Sequence, residues 1–234
     1  MKKNLMPFLF LILSASTAMG QITKGDIIIG FNGNYTNTST ETGVITNLSQ
    51  TDGKYLNIGS SAGYFLTDNF VVGIGLDYIR NKETRENSLY FNDRVHFESL
   101  DIKSKAFLPN VYVARYFSIT NKFYFSATMK VSYGKLKTEF ETVYMERENL
   151  SSDGLSDISE GTNPSMTSLS GESEVDYFSP QLIPELTYFI TDRFSACLGL
   201  GGIKYSITDW ESSNSDWNVN LNPVNWSLGI KIRI

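Results

Sequence analysis

The segment 224–234 alternates between two kinds of side chain with a period of two. Every second residue from Val224 to Ile234 is large and apolar, and the residues between them are small, polar or charged. Successive side chains of a β-strand point to opposite faces of a sheet, so this alternation predicts a strand with one apolar face and one small or polar face. A sheet made of such strands must place one whole face in an apolar environment.

The same pattern recurs along the chain and predicts eight strands. They cover about 25–36, 54–66, 70–78, 102–117, 123–133, 176–189, 194–207 and 224–234. In the seventh strand the alternation changes parity at Gly201 and Gly202, which predicts a β-bulge at that point.

A short aromatic sequence is repeated three times. It reads YFLTDNF at 64–70, YFSITNKF at 116–123 and YFITDRF at 188–194. Asp and Asn side chains bond the backbone two residues on, so each copy predicts a tight turn between two strands. The other four connections, 36–53, 80–101, 140–175 and 209–221, are polar and predict longer loops at the opposite end of the hairpins.

The repeat leaves two registers open for the fourth strand. Aligning Tyr116 with Tyr64 turns Arg115 toward the polar face, and it turns Val111 and Val113 to that face as well. The prediction adopted here follows the repeat and counts Arg115 among the inward charges.

The first twenty residues predict a signal peptide. Lys2 and Lys3 are followed by an apolar stretch too short to span a bilayer, and 18–20 reads as a small-residue cleavage site. We therefore expect an exported mature chain that begins at Gln21 and forms one domain, residues 21–234. After Gln21 there is no run of 18 apolar residues.

Composition disfavours several functions. A net charge of −5 and a pI near 5.0 argue against nucleic acid as a partner, because phosphate binding needs a basic surface. One Cys and one His argue against a disulfide framework and against a Cys- or His-rich metal site, and no cofactor is predicted.

Volume determines which face of the sheet points outward. An eight-stranded barrel has space inside for its own side chains or one small ligand, which is too little for the many aromatics of the apolar face. The small polar face therefore lines the interior, and the apolar face, bounded by two girdles of aromatic residues that include the Tyr-Phe pairs, meets lipid. A soluble barrel with the polar face outside is the alternative.

The signal segment, the three aromatic turns and the Gly-rich alternating strands together resemble small outer-membrane β-barrel proteins of the OmpA-like and OmpX-like superfamily. The resemblance implies an all-β, eight-stranded, antiparallel up-and-down transmembrane barrel. It also implies a monomer inserted into outer-membrane lipid by the barrel-assembly machinery. Chains of this kind commonly end in an aromatic residue, whereas this one ends in Ile234.

Six charged residues fall on the predicted inner face. They form a candidate lumen charge network: Asp77, Arg115, Lys130, Glu185, Lys231 and Arg233. Charges inside a narrow barrel must be paired to be tolerated, which favours a packed interior, and an ion path is the alternative.

Three other segments carry candidate chemistry. His96, close to Glu98 and Ser99, has the residue types of a hydrolase, although a solvated loop His is the simpler interpretation. The acidic segment 153–174 has carboxylates that suit Ca²⁺ but lacks a calcium-loop motif. Trp210 and Trp217, in the predicted fourth loop, are candidates for surface recognition or for anchoring at lipid headgroups.

The leading functional hypothesis is a non-enzymatic outer-membrane protein whose loops mediate surface interaction or envelope integrity. The alternatives are a narrow channel for small or apolar solutes and, third, a lipid-modifying hydrolase.

Overall fold

The computed structural model describes residues 22–44, 47–91, 94–148, 165–208 and 214–234. These residues form ten β-strands and one short 3-10 helix, Pro223–Asn225. The strands are β1 Ile27–Val44, β2 Asn47–Thr67, β3 Phe70–Phe91, β4 Arg94–Ser118, β5 Phe123–Glu148, β6 Ser165–Phe189, β7 Phe194–Gly199, β8 Gly202–Thr208, β9 Asn214–Asn220 and β10 Ser227–Arg233.

The strands close into a barrel. From β1 to β6 each strand pairs antiparallel with the next, β7 pairs with β6 and β10, and β10 pairs with β1. Because β8 continues β7 and β9 precedes β10, the ring has eight strands. The prediction of an all-β, eight-stranded up-and-down barrel is confirmed.

The irregularity predicted in the seventh strand lies between β7 and β8. Gly201 and Gly202 have φ of 81° and 150°, backbone conformations that residues with a Cβ rarely adopt. A Cβ on Gly201 would lie 2.1 Å from the carbonyl oxygen of Asn220. On the turn side of this break β7 pairs with β10, and on the loop side β8 pairs with β9.

The strands are much longer than the alternation predicted. β3 continues to Phe91 and β5 to Glu148, through segments that were predicted to be loops. In these extensions most side chains are exposed or half-buried and polar residues lie on both faces, so no apolar face marks them as strand. Backbone pairing continues there, and cross-strand ion pairs accompany it, such as that of Lys105 with Glu139 at 3.1 Å.

The faces of the barrel have the predicted polarity. Several fully buried inward positions hold small hydroxyl side chains: Ser126, Ser132, Ser179, Ser195 and Thr187. Large apolar side chains are exposed outside, among them Phe31, Ile58, Ile74, Phe107, Val111, Met129, Tyr133, Leu182 and Leu228. None of the helices in the described residues has the length and apolarity to cross a membrane.

The register of the fourth strand corrects one prediction. The second copy of the turn motif is one residue longer than the other two. The phenylalanines that follow the three turns all point to the outer face of the barrel: Phe70, Phe123 and Phe194. The extra residue therefore reverses the parity of Tyr116, which is buried inside, and of Arg115, which is exposed outside. Arg115 is not a lumen charge.

Candidate functional site: the barrel interior

An aromatic floor fills the interior at the end where the tight turns lie. Phe65, Tyr116, Tyr124 and Phe189 are buried there, and adjacent ring centroids lie 5.5 to 6.5 Å apart. Aliphatic side chains surround them: Ile22, Ile28, Val71 and Ala114. Together these eight buried residues form one contiguous cluster at this end of the barrel.

The sequence analysis predicted that both members of each Tyr-Phe pair lie in a lipid-facing girdle, and this prediction was wrong for one member of each pair. Two adjacent residues of a strand point to opposite faces, so one member of each pair had to face inward. In the first and third copies the Phe faces inward, as Phe65 and Phe189 show, and in the second copy Tyr116 does. This alternation was the signal in the sequence that could have revealed the floor.

Lys231 and Glu185 form an ion pair directly on the floor. The Lys231 ammonium also donates a hydrogen bond to the Tyr116 hydroxyl at 3.0 Å. Glu185 accepts further hydrogen bonds from Thr187 at 3.0 Å and from Ser126 at 3.4 Å. The two charges are therefore neutralised and hydrogen-bonded within the lumen, which is what a buried ion pair requires.

A second ion pair joins β3 and β5 further from the floor. The Lys130 ammonium lies 2.8 Å from Asp77 Oδ2, which also accepts a hydrogen bond from Asn110 at 3.0 Å. Gly59 and Gly75 provide the space for this pair, because a Cβ on either would lie 2.7 Å from a side-chain oxygen of Asp77 or Asn110.

The remaining inward charge, Arg233, lies at the turn end of the barrel. Its Nη1 is 3.5 Å from Asp26 Oδ2, and its guanidinium lies 5.9 Å from the ring centroid of Phe189. Of the six predicted lumen charges, the structure thus brings four together as two ion pairs, places Arg233 below the floor and turns Arg115 outward.

Above the floor the lumen contains a cavity of about 380 Å³. Neutral amide side chains dominate part of its lining: Asn32, Asn34, Asn57, Asn110, Gln181, Asn218, Asn220 and Asn225. We call it the amide cavity. On the side of β3 to β6, an apolar cluster formed by Ala106, Leu108 and Tyr177 with Ile79 and Leu136 packs the interior further up the wall.

The structure separates His96 from Ser99, but it places Ser165 of β6 in one cavity with His96 and with Glu146 of β5. His96 lies on β4 instead of in a loop, and it shares a face with Glu98, while Ser99 lies on the opposite face. Its Nε2 is 3.9 Å from Glu146 Oε1 on β5, near the rim of the wall. Within the described part of the chain, no three His, Cys, Asp or Glu side chains group as metal ligands. The acidic residues 153–160 lie outside the described residues.

Trp217 lies on a strand, where a loop had been predicted. It is 69% exposed on the outer face of β9, and its ring centroid is 4.8 Å from that of Tyr205 on β8. Tyr205 belongs to the aromatic girdle expected at the loop end of the strands, and a position beside it favours the anchoring alternative. Trp210 lies outside the described residues.

Comparison with known proteins gives fold-level likeness alone. No family model and no curated protein matches the chain. Among solved structures, the N-terminal β-barrel domain of Pseudomonas aeruginosa OprF is 14% identical, with a TM-score of 0.35 over 90% of this chain and 98% of that one. OprG from the same organism is 13% identical, with a TM-score of 0.36 over 93% and 99%. Ail of Yersinia pestis, solved with the heparin analogue sucrose octasulfate, is 13% identical, with a TM-score of 0.33 over 91% and 100%.

These neighbours are small outer-membrane barrels. This chain's own structure is a closed eight-stranded ring with an apolar exterior and a small, polar interior. Nothing about their ligands follows for this chain at such low similarity.

Proposed function

We propose that this chain is a non-enzymatic integral outer-membrane protein. It acts as a closed, non-conducting platform that holds long strand walls and loops outside the cell for surface interaction or envelope integrity. We further propose that residues 1–20 are removed as a signal peptide and that the mature chain is inserted as a monomer by the barrel-assembly machinery.

The exposed apolar exterior supports residence in a membrane. A soluble protein rarely exposes a contiguous apolar patch larger than a few hundred Å², whereas here large apolar side chains are exposed on strands all around the ring. A closed barrel leaves no unpaired edge in lipid, and the polar interior needs no lipid contact.

The aromatic floor is the observation that carries the non-conducting proposal. Phe65 and Phe189 are 0% and 1% exposed, so both rings are packed against protein on all sides. The Lys231–Glu185 pair above the floor is neutral as a pair. Both observations support a closed lumen over the narrow-channel alternative.

Planar-bilayer conductance tests this proposal. The wild-type protein is expected to show no unitary conductance, and Phe65→Ala with Phe189→Ala is expected to produce openings because truncation of both rings leaves a gap. The matched control is Tyr64→Ala with Tyr188→Ala, the outward partners in the same two motifs, and it is expected to stay silent. Steady conductance by the folded wild-type protein would contradict the closed platform.

A further inference from the structure

The barrel wall has a seam between β1 and β9. Beyond Gly33, β1 pairs only with β2, and β9 pairs only with β8 within the described residues. Side chains bridge the lower end of the seam: Asn34 Nδ2 donates to the Trp226 carbonyl oxygen at 2.6 Å, and Thr36 Oγ1 donates to the Val224 carbonyl oxygen at 3.1 Å. Asn34 Nδ2 also lies 3.5 Å from the Val224 carbonyl oxygen, so three side-chain hydrogen bonds stand here in place of a backbone ladder.

The inner side of the seam is the amide cavity. Asn34 of β1 and Asn218 and Asn220 of β9 line the cavity at the seam. Asn57 of β2 is the register partner of Asn34, and its Oδ1 is buried and has no hydrogen-bond partner among the described residues. A buried acceptor without a partner is costly, and it is satisfied by a ligand that brings a donor.

The lining of the cavity is mainly uncharged. Its acidic residues, Asp77 and Glu185, are each paired with a lysine, and the ammonium of the fifth lining charge, Lys204, lies 5.4 Å from the ring centroid of Tyr177. The groups that remain are mainly amides and hydroxyls, which both donate and accept. The rings of Tyr55 and Tyr112 also line it. A volume of about 380 Å³ lies at the lower end of the range of roughly 300–1,000 Å³ for small-ligand pockets.

The outer side of the seam is apolar. Val219, Leu221 and Val224 are exposed on the outer face beside it, and Tyr35 is exposed on the facing strand. A molecule that lay across the seam would meet amides with one end and lipid-facing hydrocarbon with the other.

We propose that the amide cavity binds the uncharged, multiply hydroxylated headgroup of a neutral amphiphile, which enters through the β1–β9 seam and keeps its acyl chain in the bilayer. The headgroup hydroxyls donate to the free oxygen of Asn57 and exchange hydrogen bonds with the amides of β9. Binding at this site is independent of whether the barrel conducts.

Calorimetric titration of the folded protein in zwitterionic detergent tests the proposal, with dodecyl maltoside, maltose and dodecylphosphocholine as probes. Saturable binding of dodecyl maltoside is expected, with maltose at least tenfold weaker and dodecylphosphocholine without effect as a competitor. Equal affinity for maltose would overturn entry from the lipid side, and no saturable binding of either sugar probe would overturn the site.

Substitutions of asparagine by leucine, which has a similar volume, test whether the ligand binds in the amide cavity. Asn57→Leu and, separately, Asn218→Leu are expected to weaken dodecyl maltoside binding about tenfold, as loss of a buried hydrogen bond predicts. Asn37→Leu, on the outer face of β1, makes the same change away from the cavity and should bind as the wild type does. The heat-dependent gel shift of each variant shows that it is folded. Unchanged binding by both folded cavity variants would overturn the assignment.

Discussion

Glu185 on β6 and Lys231 on β10 form an ion pair across β7, which lies between their two strands in the ring. The Tyr116 hydroxyl, from the distant strand β4, accepts a hydrogen bond from the same ammonium. The pair therefore ties three parts of the wall together directly above the aromatic floor.

Removing one partner of this pair is expected to destabilise the barrel strongly. In Glu185→Leu the Lys231 ammonium remains buried without its counter-charge, and such a loss typically costs about 3–5 kcal/mol of unfolding free energy. Replacing both, Glu185→Leu with Lys231→Met, is expected to restore most of that stability, because two apolar side chains of similar volume need no partner. Urea unfolding in lipid vesicles measures both. Additive losses in the double variant would show that the two charges do not act as a pair.

Gly63 is expected to tolerate no side chain, since it makes space for a ring. A Cβ there would lie 2.4 Å from the Tyr112 hydroxyl oxygen and 3.0 Å from Val71 Cγ1, so Gly63→Ala should cost about 1–3 kcal/mol of unfolding free energy. Gly33→Ala is the control, because its Cβ would meet nothing nearer than the Asn57 carbonyl oxygen at 3.6 Å. Adding Tyr112→Phe to Gly63→Ala removes the closest atom, and a double-mutant cycle should show recovery. Equal losses at both glycines would refute this packing.

The sequence was most informative where one face of each strand meets lipid. There the period of two distinguished Ile74 and Met129, which face outward, from Asp77 and Lys130, which face inward. The outer extensions of β3 and β5 were missed because polar residues lie on both of their faces and no alternation marks them. The ion pairs also could not be predicted individually, since the contact of Asp77 with Lys130 depends on the stagger of β3, β4 and β5.

Trp217 is expected to lie at the depth of the lipid headgroups. In a variant that keeps it as the single tryptophan, Trp210→Phe with Trp226→Phe, fluorescence should be quenched more strongly by lipids with a headgroup quencher than by lipids with a quencher deep in the acyl chain. Quenching by an aqueous quencher alone would place Trp217 in water, and this result would favour a role in surface recognition.

Glu174, beyond the girdle on β6, is expected to titrate at unusually low pH. Hydrogen bonds from Lys135 at 2.7 Å and Lys137 at 3.0 Å lower its pKa from 4.5. Because the folded pKa is depressed, the stabilising contribution is present above pH 4.5 and is lost as pH falls through the lowered value. Carboxyl carbon NMR measures the midpoint, and Lys135→Met should move it upward. An unchanged midpoint in that variant would refute the contact.

The most direct test of the central claim is the mobility of the protein from fractionated cells on a detergent gel, with and without boiling. A closed barrel in lipid predicts that the protein is found in the outer-membrane fraction and that boiling shifts its mobility, because the folded ring survives the detergent until it is heated. A protein that is soluble in the periplasm and migrates identically before and after boiling would contradict the account, and the polar face would then have to lie outside.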